Sequence, residues 1–184
     1  ESVWELLQAK QAMEDGSIIY SGKYSAPDYE LLVTEGCNLA IENTMIFHSP
    51  ETKEKLEELG IPVMVETSSY ELSPLARLEW VKLYGAIYGR ENEANQFFEL
   101  QKQRIEKVTQ KEATGKKIAF FSINSNGQIV VRRSNDYIAA MIDMAGGYYL
   151  PDDINDQENA LSTVKMTAED FYIRAVDADV LIYN

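Results

Sequence analysis

The sequence predicts an α/β protein, two lobes of parallel sheet flanked by helices and joined by one long connecting helix. Short apolar runs alternate with helical segments of about ten residues, which is how parallel βαβ units read. One helical segment, Glu91 to Glu112, is far longer than its neighbours. As a helix it would span ~33 Å, the length of a strut between lobes. After it the alternation of strand and helix starts afresh.

Ser2 to Asp15 reads as a helix with Trp4, Leu7 and Met13 on one side, stopping near Gly16. Ser17 to Tyr20 (SIIY) is expected as a strand, followed by a polar loop, Ser21 to Ala26. Pro27 and Asp28 start a short helix that ends at Gly36, and Asn38 to Ile41 is the next strand. Ser49 and Pro50 open a helix as cap and first-turn proline. It runs to Gly60, a C-cap glycine, before the strand Ile61 to Glu66. Ser73-Pro74 opens another helix, reaching Tyr88-Gly89. The long helix carries Ala94, Phe97, Phe98, Ile105 and Val108 as an apolar stripe, and Thr114-Gly115-Lys116 breaks it.

Lys117 to Ile123 is a buried-type strand, and Asn124 to Gly127 is a turn whose Asn-Gly pair suits positive φ. Gln128 to Val131 is a strand, Asn135 to Ala145 and Thr167 to Val176 are helices, and Asp179 to Tyr183 is a strand. Residues 27–43 and 168–184 echo each other: acidic residue, short helix, polar break, strand, Asn.

The 184 residues include 17 Lys+Arg and 30 Asp+Glu, a net charge of −13, with 45% apolar and 26% charged residues. That mixture is globular, not disordered. The acidic balance argues against binding through nucleic-acid phosphates and against adsorption on anionic lipid. No apolar run reaches the ~20 residues of a membrane-spanning helix. One cysteine and one histidine exclude an internal disulfide, and a structural zinc site of four cysteines or of two cysteines and two histidines. GxSxG, P-loop and GxGxxG patterns are missing. No catalytic residue, protein-built metal site or resident cofactor is therefore expected.

Five segments, in this order, resemble the substrate-binding proteins of bacterial ABC importers for iron–siderophore, haem and cobalamin complexes. They are PDYELLVTEGCNLAI (27–41), LEELGIPVMVE (56–66), SPLARLEWVKLYGAIYGRENEA (73–94), DYIAAMIDMAGGYYLPDD (136–153) and TAEDFYIRAVDADVLIYN (167–184). The resemblance implies part of an N-terminal lobe over residues 1–88, the connecting helix over 89–113 and the first part of a C-terminal lobe over 114–184. Both lobes are then incomplete, and the chain is expected to be the middle of a protein of roughly double the size.

It further implies a non-enzyme that holds a metal chelate between its lobes, closes only slightly and hands the ligand to a membrane permease. The setting would be the periplasm or the cell surface, with any lipid anchor outside this segment. A metal chelatase or nitrogenase-like subunit on a related scaffold, and a receptor sensor domain, are the alternative functions.

In open α/β layers, ligands sit beyond the carboxyl ends of the strands. That rule nominates Ser21 to Ser25, Asn43 to His48, Thr67 to Tyr70 with Arg77, Asn124 to Asn126, and Arg132 to Asn135. Bulky, often anionic chelates need fixed cations and aromatic faces, and Arg supplies the cation better than Lys because its guanidinium forks and stacks. Arg132 and Arg133 are the first candidates, unless they merely offset the acidic surface; Arg77 is second, and Tyr70 and Tyr24 are candidate walls. His48, with Met45 nearby, is either an iron ligand of a haem-binding member or a surface histidine. Cys37 is expected to pack as a small hydrophobe. In the resembling family a glutamate on each lobe's rim pairs with permease arginines. The motifs place that role on Glu30 and on Glu169, which has Asp170 beside it; a helix dipole also favours first-turn carboxylates without any partner.

Overall fold

A computed structural model describes residues 6–154 and 162–184, so Trp4 lies outside the described residues. The chain divides into two compact units, one up to Thr67 and one from Ser68.

In the first unit α1 spans Leu7–Glu14. A small antiparallel hairpin follows, β1 (Gly22–Lys23) and β2 (Ala26–Pro27). Gly22 sits at φ +103°, and an added Cβ would lie 2.6 Å from the Ala26 carbonyl oxygen, so only glycine fits. The helix α2 (Tyr29–Thr34) is capped by Asp28, whose carboxylate accepts from the Leu31 amide at 3.0 Å. The strand β3 (Ala40–Asn43) leads through a 3₁₀ turn (Thr44–His48) and α3 (Pro50–Glu58) into β4 (Val63–Glu66). Because β3 and β4 pair in parallel, this is one βαβ unit. Ile46, Thr52, Leu56 and Ile61, each at most 2% exposed, fill its interior.

The strand expected at Ser17 to Tyr20 is not formed. A strand exists only as half of a ladder, and no described strand pairs with these residues. Ile18, Ile19 and Tyr20 are exposed instead.

The second unit begins with a 3₁₀ turn (Ser68–Tyr70), then α4 (Pro74–Ile87) and α5 (Glu91–Thr109). Pro74 takes the first position of α4, and the Ser73 hydroxyl accepts from the Ala76 amide. The two helices pack together, with Ala94 and Phe98 buried on α5. They touch at Gly85, where an added Cβ would come within 2.4 Å of the Ala94 Cβ.

The strand β5 (Lys117–Ile123) is the centre of the sheet. Its partners are β6 (Ile129–Arg132), β7 (Tyr148–Leu150) and β9 (Val180–Tyr183), while β8 (Thr163–Met166) pairs with β6. Residues 118 to 121 of β5 pair with β9, overlapping the stretches that meet β7 and β6. A strand has two edges, so β9 takes one and β7 and β6 share the other. The pairings with β7 and β9 are parallel; those of β6 with β5 and β8 are antiparallel. The α/β class therefore holds, with an antiparallel hairpin added to the parallel sheet. That hairpin is made by the Asn-Gly turn: the Asn124 side-chain oxygen accepts from the Asn126 and Gln128 amides, both at 3.0 Å.

The helices α6 (Tyr137–Met144) and α7 (Ala168–Ala175) complete the described layers. Ala139, Ile142 and Tyr149 pack with Ile118, Phe120 and Ile138 as the core between α6 and the sheet.

Candidate ligand-binding site

The antiparallel course of β6 decides where its loop goes. Its carboxyl end points toward the amino end of β5, so residues 124–126 and 132–135 lie at opposite ends of the hairpin. The strand-end rule nominated both loops, yet it does not bring them together.

Tyr137 collects two guanidiniums. Arg77 Cζ, on α4, lies 4.2 Å from the ring centroid, and Arg132 Cζ, at the end of β6, lies 5.9 Å from it. Both are within cation–π reach. The local sequence sets up each partner. Ser73-Pro74 starts α4, so Arg77 falls just past its first turn. Asp136 caps α6 by accepting from the Ile138 amide at 3.0 Å, which fixes Tyr137 as the first helical residue.

Asp136 is 6% exposed, and its other oxygen stands 3.8 Å from Arg132 Nη1. The same nitrogen donates to Ser162 Oγ at 3.3 Å. Behind it, the Tyr149 hydroxyl donates to the Arg132 carbonyl at 2.6 Å. Burial pushes the Tyr149 hydroxyl well above the usual tyrosine range, so it remains a donor at physiological pH.

Of the arginines expected to contact ligand, Arg77 and Arg132 are brought to one ring. Arg133 is 4% exposed and engaged inside the protein. Its amide donates to the Ser162 carbonyl and its own carbonyl accepts from the Asp136 amide. Tyr70 ends its 3₁₀ turn and is exposed. Tyr24 lies in the other unit, half-buried in the β1–β2 turn. His48 is exposed at the end of its 3₁₀ turn. Residues three apart on such a helix eclipse one another, so Met45 and His48 share a face. Cys37 is half-buried with Sγ 3.6 Å from the Leu39 carbonyl oxygen.

Glu30 and Glu169 are exposed, and each is the second residue of its helix, counted from the caps Asp28 and Thr167. Asp170 is already employed: its amide donates to Thr167 Oγ1 at 3.1 Å, and its carboxylate accepts from that hydroxyl at 3.0 Å. The Thr167 hydroxyl both caps the helix and holds the Asp170 carboxylate. Counting from the cap thus matches Glu30 with Glu169 and not with Asp170. Among the described residues neither glutamate side chain makes a hydrogen bond or ion pair.

Sequence reasoning missed Tyr137, Asp136, Tyr149 and Ser162. Only Tyr137 carried a signal, an aromatic residue opening a helix straight after the Arg132 loop.

Among the described residues, two of the hollows in this unit adjoin α6. One of about 530 Å³ between α6 and β7 sets Asp136, Asp143 and Asp152 against Lys117, so it repels anions. The other, about 440 Å³ among α4, α5 and α6, is apolar, with Arg104 at its edge. Among the described residues, no three His, Cys, Asp or Glu side chains gather as a metal site, and no helix is long and apolar enough to cross a membrane.

The model of the periplasmic binding protein family matches residues 5–182, and the chain belongs to that family. Members work on the outer side of the cytoplasmic membrane, and this chain is accordingly extracytoplasmic.

Two curated relatives are uncharacterized lipoproteins of Methanocaldococcus jannaschii. One is 30% identical over 97% of this chain, the other 28% identical over 94%. The chain spans 42% and 44% of their lengths. Among solved structures, the periplasmic haem-binding protein HutB of Vibrio cholerae superposes with a TM-score of 0.68 at 18% identity, covering 92% of this chain and 63% of that one. An ABC transporter substrate-binding protein from Listeria monocytogenes gives 0.66 at 18% identity, covering 100% and 65%. The Desferal-bound siderophore-binding protein FhuD of Vibrio cholerae gives 0.64 at 14% identity, covering 86% and 59%. These likenesses establish the fold.

Proposed function

We propose that the chain is part of a non-catalytic solute-binding protein that captures a metal chelate, a siderophore complex, haem or cobalamin, and delivers it to an ABC importer permease. The observation that carries this is the convergence of Arg77 and Arg132 on Tyr137, in a family of binding proteins. It supplies fixed positive charge and an aromatic face in an acidic chain. In this reading α5 is the connector between two lobes. Arg77 and Arg132 contact ligand, Arg133 supports the loop from within, and Tyr70 forms a wall; Tyr24 is the candidate wall residue of the first unit.

A spectral titration of the full-length protein with haemin, cyanocobalamin and ferric siderophores tests the reading. Binding of at least one of them below ~10 μM, about −7 kcal/mol, is expected. Failure of all of them removes the chelate assignment.

Glu30 and Glu169 are the proposed permease contacts, supported by their matching cap positions and their lack of partners inside the described protein. Reversing both charges, Glu30→Lys with Glu169→Lys, should abolish uptake in cells while leaving ligand affinity unchanged. Intact transport by the double variant would refute the docking role.

A further inference from the structure

We infer that the apolar hollow among α4, α5 and α6 is a second ligand site, suited to a single-chain anionic amphiphile such as a fatty carboxylate. The tail lies in the hollow and the head group meets a row of cations on α5. The site stands apart from the strand-end loops proposed for the chelate. It is built from helices, and none of its lining residues belongs to those loops.

The hollow holds about 440 Å³, within the range of small-molecule sites, about 300–1,000 Å³. Leu78 of α4, Phe97, Ile105 and Val108 of α5, and Met141 and Met144 of α6 supply apolar lining. Phe97, Val108 and Met141 are 46%, 43% and 49% exposed, so apolar surface from two helices meets solvent at one place. The unbranched methionines adapt to a flexible tail.

One edge of the hollow is cationic. Arg104 lines it, and its Nη1 donates at 3.2 Å to Oε1 of Gln101, another lining residue. That bond restrains the guanidinium at the rim and uses one of its five N–H donors. Lys107 and Lys111, three and seven residues on, continue the row along the same face. The turn is kept as far as Lys111, whose amide donates to the Val108 carbonyl at 3.0 Å. All three cations are exposed. Glu99 and Glu106, the acidic residues of this half of α5, fall on the far side, about 140° and 160° round the helix from Arg104. The helix dipole accounts for Lys107 in the last turn, but not for Arg104, which precedes that turn.

In a chain of net charge −13, a cationic row along an apolar hollow matches a ligand with one apolar tail and one negative head. A cationic amphiphile of equal length meets the same hollow with the wrong charge at its rim.

Calorimetric titration of the full-length protein with octanoate, decanoate and dodecanoate, each below its micelle concentration, tests the inference. Dodecanoate is expected to bind one to one, with affinity rising up to roughly fourfold per added methylene along the series. Dodecyltrimethylammonium should bind roughly tenfold more weakly or not at all. Arg104→Glu should weaken dodecanoate binding roughly tenfold, and Lys107→Gln with Lys111→Gln should weaken it less. Val108→Trp, which fills the hollow from its open side, should abolish it. The methyl NMR signals of Met141 and Met144 should shift on titration while that of Met45, in the other unit, stays in place. Far-UV circular dichroism and melting curves confirm that each variant is folded.

Equal binding of the anionic and cationic probes overturns the inference, because it marks general adsorption of detergent. Binding that Arg104→Glu or Val108→Trp leaves within roughly twofold of the parent also overturns it. So do unmoved Met141 and Met144 signals, and so does failure of the full-length protein to bind dodecanoate. None of these results touches the chelate reading, whose probes are titrated separately.

Discussion

Tyr149 on β7 and Arg132 on β6 are joined by a 2.6 Å hydrogen bond from phenol to backbone carbonyl. The two strands share one edge of β5 without pairing with each other, so this bond closes the corner between them. Tyr149→Phe leaves the carbonyl without its donor and should cost about 1–2 kcal/mol. The pH dependence has a definite sign. The folded state raises the Tyr149 pKa above its unfolded value because burial disfavours the phenolate. Its contribution is fully present below about pH 10 and is lost as the pH rises further. Urea unfolding at pH 7 and above pH 10 should show the parent losing stability in alkali more steeply than Tyr149→Phe. Equal alkaline losses would rule out burial of the Tyr149 hydroxyl as the cause.

Glu42 sits half-buried on β3 with no ion-pair partner among the described residues, and burial raises its pKa. A raised carboxylate pKa means the folded state prefers the protonated form. Stability from this residue is therefore greatest in acid and falls as the pH climbs through the folded value. Glu42→Gln should raise the melting temperature at pH 7. The advantage should shrink to nothing once the parent side chain is protonated. A melting series from pH 7 downward checks it, and a pH-independent difference would contradict the assignment.

Gly85 is where α4 meets α5. Gly85→Ala should gain helix propensity of about 1 kcal/mol but force a Cβ to within 2.4 Å of Ala94 Cβ. Overpacking of this kind costs about 1–3 kcal/mol, so a net loss is expected. Pairing it with Ala94→Gly should recover part of that loss. A double-mutant cycle by chemical denaturation measures the coupling. Strict additivity would mean that the helices already yield at this point.

Much of the layer plan was readable because it is written locally. The Ser73-Pro74 start, the Asn-Gly turn and the strand Lys117–Ile123 all stand where their residues place them. Ser17 to Tyr20 misled because a β-prone run says nothing of whether a neighbour is there to pair. The strands β7 and β8 escaped notice for the converse reason. They are three and four residues long and owe their conformation to β5 and β6. At the site, residue type alone pointed to Arg77 and Arg132. That both meet Tyr137 depends on α4 lying beside α6, a tertiary fact with no local signature.

The strand β9 gives the chain a colloidal character. Its residues Val180, Leu181, Ile182 and Tyr183 are 36%, 61%, 39% and 65% exposed, and no described strand covers its outer edge. None of the four is charged. Asp177, ion-paired with Lys117 at 3.4 Å, and Asp179, whose carboxylate accepts from the Lys117 amide at 2.8 Å, stand immediately before it, and the repulsion between acidic chains holds like edges apart. Salt shortens the reach of that repulsion to about 3 Å at 1 M while leaving the apolar strand attractive. The isolated chain should therefore scatter light in concentrated salt and clear on dilution. Asp177→Asn with Asp179→Asn should bring the onset down to ordinary buffer. Leu181→Lys should abolish it.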